Sequence, residues 1–391
     1  MKAVKEIEHG VLLNYFGLGN DFYLALTVLT FFGFDNPDQA LSEQELWPFV
    51  QGELGPNAIL DMGMPKPLAE VLLRGTCFNP GGTPRPASQV GFQVGPIRKT
   101  LNVYGNRYWL RRASLPAGIS DPEPFVEMPV AYNLAYGGPG YDKNPAGKGF
   151  APVVLPSGQE VFPLPNVEDP RRLIGAPSDH PEPAGFAPLD CAWPQRAKKL
   201  GTYDQRWFQT RWPFYPEDMD WTYFNAAPAD QRMGGFFGGG EAFIIQGLHR
   251  TRPVIESHLP ALRQRIFINQ LKELGQTGGE TVFREVTNRL ETVWLFPHAE
   301  RGIALYRGTA KVQDDEALDV RHLFIATEAL PDAPKPIEHY QAEFHRRLDR
   351  TVPAELTAAM AAARQELAEL ADDLRDLPRK IEDGIAANLG Q

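Results

Sequence analysis

Between Pro116 and Gly240 the chain packs 34 of its 72 glycines and prolines into 125 positions. Proline removes a backbone donor and glycine adds conformational entropy, so neither long helices nor long regular strands can dominate such a stretch. Roughly a quarter Pro plus Gly ordinarily marks a disordered segment. The same stretch nevertheless carries 19 of the 42 aromatic residues, including Trp193, Trp207, Trp212 and Trp221. Disordered segments lack large rings because they bury little. The combination predicts an ordered but irregular region, with long loops pinned by aromatic side chains.

The flanking zones read as strands. In residues 1–115, Leu24–Val28 opens one strand within the apolar run Phe22–Phe34, and Leu68–Cys77 forms another. Val90, Phe92 and Val94 alternate with Gly91 and Gln93 before a Gly95-Pro96 turn. Leu101 and Val103 follow, then a Gly105-Asn106 turn and Arg107-Tyr108-Trp109. Alternation broken by such turns marks an antiparallel meander. Residues 241–330 return to strands at Phe243–Ile245, Arg265–Ile268 and a hairpin joining Thr292–Phe296 to Ile303–Tyr306. After the linker Pro331–Pro336, residues 336–391 read as helical. There Leu356, Met360, Ala363, Leu367, Leu370, Leu374, Leu377 and Ile381 are spaced alternately by four and three, a heptad seam. That seam suits pairing with another helix as well as it suits packing on its own chain. The expected fold is mainly β (α+β): an antiparallel β-rich body of two packed sheets or two β lobes, with long Pro/Gly/aromatic loops and C-terminal helices.

The net charge of −10 argues against nonspecific nucleic-acid binding and against docking on anionic lipid. The two cysteines, Cys77 and Cys191, form no CxxC pair, which fits a reducing compartment. The run Phe22–Phe34 falls far short of the ~20 apolar residues a bilayer crossing needs. No small-residue cleavage site follows the N-terminus, so the expected location is cytoplasmic.

Chemistry is sparse. The eight histidines form neither HxH nor HExxH, and no G-x-S-x-G elbow occurs. Ser178-Asp179-His180 holds all three triad residue types, but consecutive residues cannot align as nucleophile, base and orienter. The glycines of Gly234–Gly240 are followed by no Gly-Lys-Ser/Thr. No cofactor or metal is expected. The sharpest enzymatic reading is glycoside hydrolysis: Glu217, Asp218 and Asp220 lie between Trp212 and Trp221, with Glu241 beyond. Two carboxylates among stacking rings are what that reaction needs. The blander reading makes the acids turn caps and the rings core.

Several short stretches in fixed order resemble a domain-of-unknown-function family of type VI secretion accessory proteins. They include Lys66-Pro67-x-x-Glu70-Val71, Lys99-x-Leu101-x-Val103-x-Gly105-x-Arg107-x-Trp109 and Ala135-Tyr136-Gly137-Gly138. They continue with Asn144-Pro145-x-Gly147-x-Gly149, Leu164–Glu168, Trp193-x-x-Arg196, Gly201-Thr202-Tyr203-Asp204-x-x-Trp207 and Ala227-Pro228-x-Asp230-Gln231. The resemblance implies a chaperone or adaptor that holds an effector or PAAR-bearing cargo and mounts it on the VgrG spike, without catalytic residues. Candidate contacts are then Trp207, Trp212 and Trp221 on the loops and Leu356, Met360, Leu367, Leu370, Leu374 and Leu377 on the helix. Alternatives are a carbohydrate-active protein using acids such as Asp218 and Glu241, or a homo-oligomer assembled through the C-terminal helix.

Overall fold

The computed structural model describes residues 2–5, 9–55, 62–112, 115–273 (except 155, 157 and 159), 279–314 and 319–350. By compactness the chain divides into two units, Met1–Pro334 and Lys335–Gln391.

The first unit is β-rich. Its strands are β1 (Lys2–Lys5), β2 (Gly10–Leu18), β3 (Asp21–Gly33), β4 (Ala69–Leu73), β5 (Thr76–Phe78), β6 (Ala87–Val94), β7 (Ile97–Tyr104), β8 (Tyr108–Arg112) and β9 (Leu115–Ile119). After the loop-rich zone come β10 (Ala242–Gln246), β11 (Val254–His258), β12 (Leu262–Leu271), β13 (Thr281–Val286), β14 (Asn288–Phe296), β15 (Arg301–Val312) and β16 (Val320–Ala329). A six-stranded sheet runs Arg232–Met233, β4, β14, β15, β3, β2. A five-stranded sheet runs Val167–Glu168, β7, β6, β10, β11, and a four-stranded one β1, β16, β12, β13. Most pairings are antiparallel, as the meander pattern implies; β4–β14 and β1–β16 are parallel.

The thirteen residues of β3 explain the apolar run Phe22–Phe34. Leu24, Leu26, Val28 and Phe32 face one core, while Leu29 and Phe31 face a second on the other side of the sheet. A strand covered on both faces needs no polar alternation. The second core includes helix α1 (Glu43–Leu54), whose Leu46 and Val50 are buried with Trp294 and Phe296. The sequence reading places only strands here. The signal was the capping box made by Ser42 and Glu45, and Pro48 inside the helix obscured it.

In its described residues the Pro/Gly/aromatic zone is ordered, with two- to four-residue strands, short 3-10 turns, a one-turn helix at Pro194–Ala197 and a short helix, α2 (Gln205–Thr210). Rings pin it in places: Tyr132 meets Trp193 at 5.4 Å and Trp221 meets Phe224 at 5.6 Å. Buried amides and ions do as much. Asn144 Nδ2 donates to the carbonyls of Tyr132 (2.7 Å) and Tyr136 (3.0 Å). Gln231 Nε2 donates to those of Val71 (2.7 Å) and Phe186 (2.9 Å). Arg196 reaches the carbonyls of Tyr223 and Leu189, each at 2.7 Å, and Arg107 pairs with Glu168 beneath the surface.

One connected set of buried charges ties this zone to the six-stranded sheet. A bulge between Leu290 and Thr292 presents Glu291 to Arg307 on the neighbouring strand at 2.5 Å. The Arg307 guanidinium also donates to the carbonyls of Gly63 (2.7 Å) and Met62 (2.6 Å) and to the Thr27 hydroxyl. The second Glu291 oxygen accepts from the Lys66 amide at 3.3 Å. The Lys66 ammonium then meets Glu70 at 2.6 Å, both side chains wholly buried. Glu70 in turn accepts from Asn225 Nδ2 (3.0 Å) and the Ala227 amide (3.1 Å). Burial pushes the Glu70 carboxyl up, but the Lys66 charge and the donors from Lys66, Asn225 and Ala227 outweigh it and hold its pKa below the ordinary value.

The second unit contributes one described helix, α3 (Ile337–Arg350). Leu356, Met360, Leu367, Leu370, Leu374 and Leu377, and with them the heptad seam, lie outside the described residues.

Glu70→Gln leaves the Lys66 ammonium buried without its counter-charge, which should cost about 3–5 kcal/mol at neutral pH. Because folding lowers the Glu70 pKa, its contribution is present above the ordinary glutamate range and lost as pH falls through the folded value. Urea midpoints of wild type and Glu70→Gln should therefore differ widely at neutral pH and converge in acid. A gap that persists unchanged into acid contradicts this assignment.

Candidate partner-binding face

The most exposed large aromatic side chains lie on the loop that follows Gly201. Trp212 is 64% exposed, Phe208 60% and Tyr203 48%. Local rules fix their backbone. Asp204 caps α2 by accepting from the Trp207 amide at 2.7 Å. Asp218 closes the loop at its base, one oxygen taking the Thr202 amide (3.0 Å) and the other its hydroxyl (2.7 Å). Trp207 Nε1 donates across the loop to the Phe214 carbonyl at 3.0 Å.

This closed loop is clamped to the tip of the β2–β3 hairpin. Gly19, at φ +64°, makes the two-residue turn with Asn20. Arg211 donates to the Gly19 carbonyl (3.0 Å) and reaches the Asn20 side chain (3.4 Å). Phe214 stacks on Phe22 at 4.9 Å, directly over Gly17. A Cβ at Gly17 would lie 2.2 Å from that ring, so only glycine fits there. On the outside the rings form an edge-to-face chain: Tyr203 to Trp207 at 4.6 Å, then Trp207 to Trp212 at 5.8 Å.

The three loop tryptophans picked out by sequence thus divide. Trp212 is exposed, Trp207 is half-buried between Tyr203 and Trp212, and Trp221 packs inward on Phe16, Tyr215 and Phe224. Sequence reasoning missed Phe208, Tyr203 and the clamp of Arg211 and Phe214. The pattern Asp204-x-x-Trp207 announced the helix cap, but the hairpin tip that receives Arg211 is 192 positions away.

A cavity of about 290 Å³ beside Trp207 is lined by Thr202, Asp204, Arg206, Glu217 and Asp218, among others. The hydrogen bonds from Thr202 hold the Asp218 carboxyl below its usual pKa, which suits an ionised cap better than a proton donor. Asp220 likewise caps a turn through Thr222, and Glu241 takes the amides of Gly238 (2.6 Å) and Gly239 (3.0 Å). Asp179 accepts from the amides of Gly175 and Ala176 while His180 meets the Tyr136 hydroxyl, so Ser178-Asp179-His180 is a turn. A second cleft, of about 610 Å³, holds Lys99 against Asp230 at 2.8 Å and Arg171 against Asp169 at 2.7 Å. Among the described residues no group of three or more His, Cys, Asp or Glu side chains could hold a metal, and no helix is long and apolar enough to cross a membrane.

Arg211→Ala removes the donor that fastens the loop to the hairpin tip, a local loss of about 1–3 kcal/mol. Limited proteolysis should then cut within residues 203–217 faster than in wild type, with the global melting midpoint nearly unchanged. Equal cleavage rates would mean that Phe214 alone holds the clamp.

A family model described as an uncharacterized protein conserved in bacteria matches residues 19–307. No curated protein and no solved structure matches the chain. The match takes in β3 to β14, the buried ion network and the aromatic loop alike, and the chain belongs to this uncharacterized bacterial family, DUF2169.

Proposed function

We propose that this chain is a non-catalytic binding protein that grips a protein partner through the aromatic loop of residues 203–214. The observation that carries the reading is the exposure of Trp212 and Phe208 on a loop held rigid from beneath by Arg211, Phe214 and Asp218. Large rings held in one place lose little entropy on binding and dominate hot spots. Of the acidic side chains that sequence offered for hydrolysis, Asp218, Asp220 and Glu241 serve as turn caps, which agrees with a role in binding.

The family resemblance noted from the sequence gives the partner a class. On that resemblance the cargo is a type VI effector or a PAAR-bearing protein, the destination is the VgrG spike, and loading takes place in the cytoplasm. The heptad helix of residues 356–381 would supply a second contact or a self-association seam. A second reading, sugar binding, is favoured by the cavity beside Trp207, where a ring adjoins Asp204, Glu217 and Asp218.

Tagged protein should recover a PAAR-bearing effector or VgrG from the lysate of its host. The double variant Phe208→Ala/Trp212→Ala should weaken that capture at least about tenfold, the loss of a single hot spot, without moving the melting midpoint. Deleting residues 352–391 tests the helix in the same assay. Undiminished capture by the double variant would exclude the aromatic loop as the grip. Recovery of glycan ligands in place of protein would favour the second reading.

A further inference from the structure

Strand β2 is the outer strand of the six-stranded sheet, paired among the described residues only with β3. In a two-residue hairpin the pair next to the turn, here Leu18 and Asp21, exchanges both hydrogen bonds. Counting back from that pair in steps of two, residues 10, 12, 14, 16 and 18 bond to β3. The amides and carbonyls of Val11, Leu13 and Tyr15 then point to the open edge, while Gly17 is buried beneath Phe214. No backbone partner for those three occurs among the described residues.

The same edge is apolar. Leu13 and Tyr15 are 36% and 45% exposed, yet their cross-strand neighbours Leu26 and Leu24 are buried in the main core. The core face of the sheet therefore runs on past its last strand. Folded proteins ordinarily guard long edges with charge, proline, bulges or shortness. The other edges here do so. Lysines stand at both ends of β1, β9 contains Pro116, β11 carries Glu256 and follows Pro253, and β13 carries Arg284 and Glu285. Arg232–Met233 and Val167–Glu168 are two residues long. Nine residues of β2, Gly-Val-Leu-Leu-Asn-Tyr-Phe-Gly-Leu, contain no charge, no proline and no break in register.

We infer that β2 accepts an added strand: an extended segment of the protein partner, apolar at alternate positions and basic at the end that meets the hairpin tip. Main-chain bonds to Val11, Leu13 and Tyr15 would give affinity, and Leu13 and Tyr15 would receive the apolar side chains. Charge selects a basic end at the hairpin tip. Exposed Asp204, Glu217 and Asp218 line the cavity by the hairpin tip, against the exposed cation Arg206, while Arg211 is spent on the Gly19 carbonyl. A second copy is disfavoured as occupant, since each chain carries a net charge of −10. The inference deepens the binding reading above and rests on it for the presence of a partner.

The probe is a synthetic peptide of alternating valine and threonine with a lysine at each end, added to the full chain. It should bind, and the amides of residues 11, 13 and 15 should exchange at least about tenfold more slowly when it does, while those of 12, 14 and 16 stay as they were. Methylating alternate backbone nitrogens of the peptide, or making Leu13→Lys/Tyr15→Lys in the protein, should abolish both effects. Unchanged binding by the methylated peptide or by the lysine variant overturns the proposal. So does slow exchange at 11, 13 and 15 in the free monomer, which would mean the chain closes its own edge. A dimer in sedimentation that Leu13→Lys/Tyr15→Lys splits would overturn it too, assigning the edge to a second copy. Because the peptide assay uses no cargo, it can succeed where lysate capture fails, and the two readings fall separately.

Discussion

The Lys66–Glu70 pair, sealed from water between two sheet strands and a loop, is the constraint on which the rest of the molecule leans. A buried ion pair contributes little net stability over a well-packed apolar substitute, because both ions must shed their water. What it does supply is position. Lys66, Asn225 and Ala227 all donate to the Glu70 carboxylate and offset its burial. Glu291 is shared between Arg307 and the Lys66 amide. A chain that misplaced any one of these segments would strand a charge in the interior, so the set admits one arrangement of sheet and loop.

That explains how a zone so rich in proline and glycine holds a fixed shape. Its backbone groups cannot satisfy one another through helices or long ladders, and buried carbonyls left unpaired are costly. Asn144, Arg196 and Gln231 each supply two donors to such carbonyls. The polar residues that carry the family resemblance, from Lys66 and Glu70 through Arg107 and Glu168 to Gln231, prove to be internal ties. The aromatic loop has its own ties, Asp218 at its base and Arg211 and Phe214 on the hairpin tip.

Much of the fold was legible because strand periodicity and turn chemistry act locally. The run Phe22–Phe34, the turns at Gly95-Pro96 and Gly105-Asn106, and the hairpin around Pro297–Gly302 each announce themselves within a few residues. Helix α1 was hidden by Pro48 despite a capping box at Ser42 and Glu45. The site was legible only in part. Composition singled out Trp207, Trp212 and Trp221, but not that Trp221 turns inward while Phe208 and Tyr203 turn out. That division is made by Arg211 and Phe214 docking on a hairpin tip near residue 19, a contact between distant segments that no local pattern encodes.

The central claim is that the tied scaffold stays fixed while the aromatic loop does the gripping. Amide exchange read by mass spectrometry, on the full chain alone and with its captured partner, addresses it most directly. The account predicts that protection on binding appears in peptides covering residues 203–214 and along the open edge of β2, with those covering 62–73, 225–232 and 291–307 unchanged. Protection that appears instead around Lys99, Arg171 and Asp230, with residues 203–214 still exchanging freely, would contradict it.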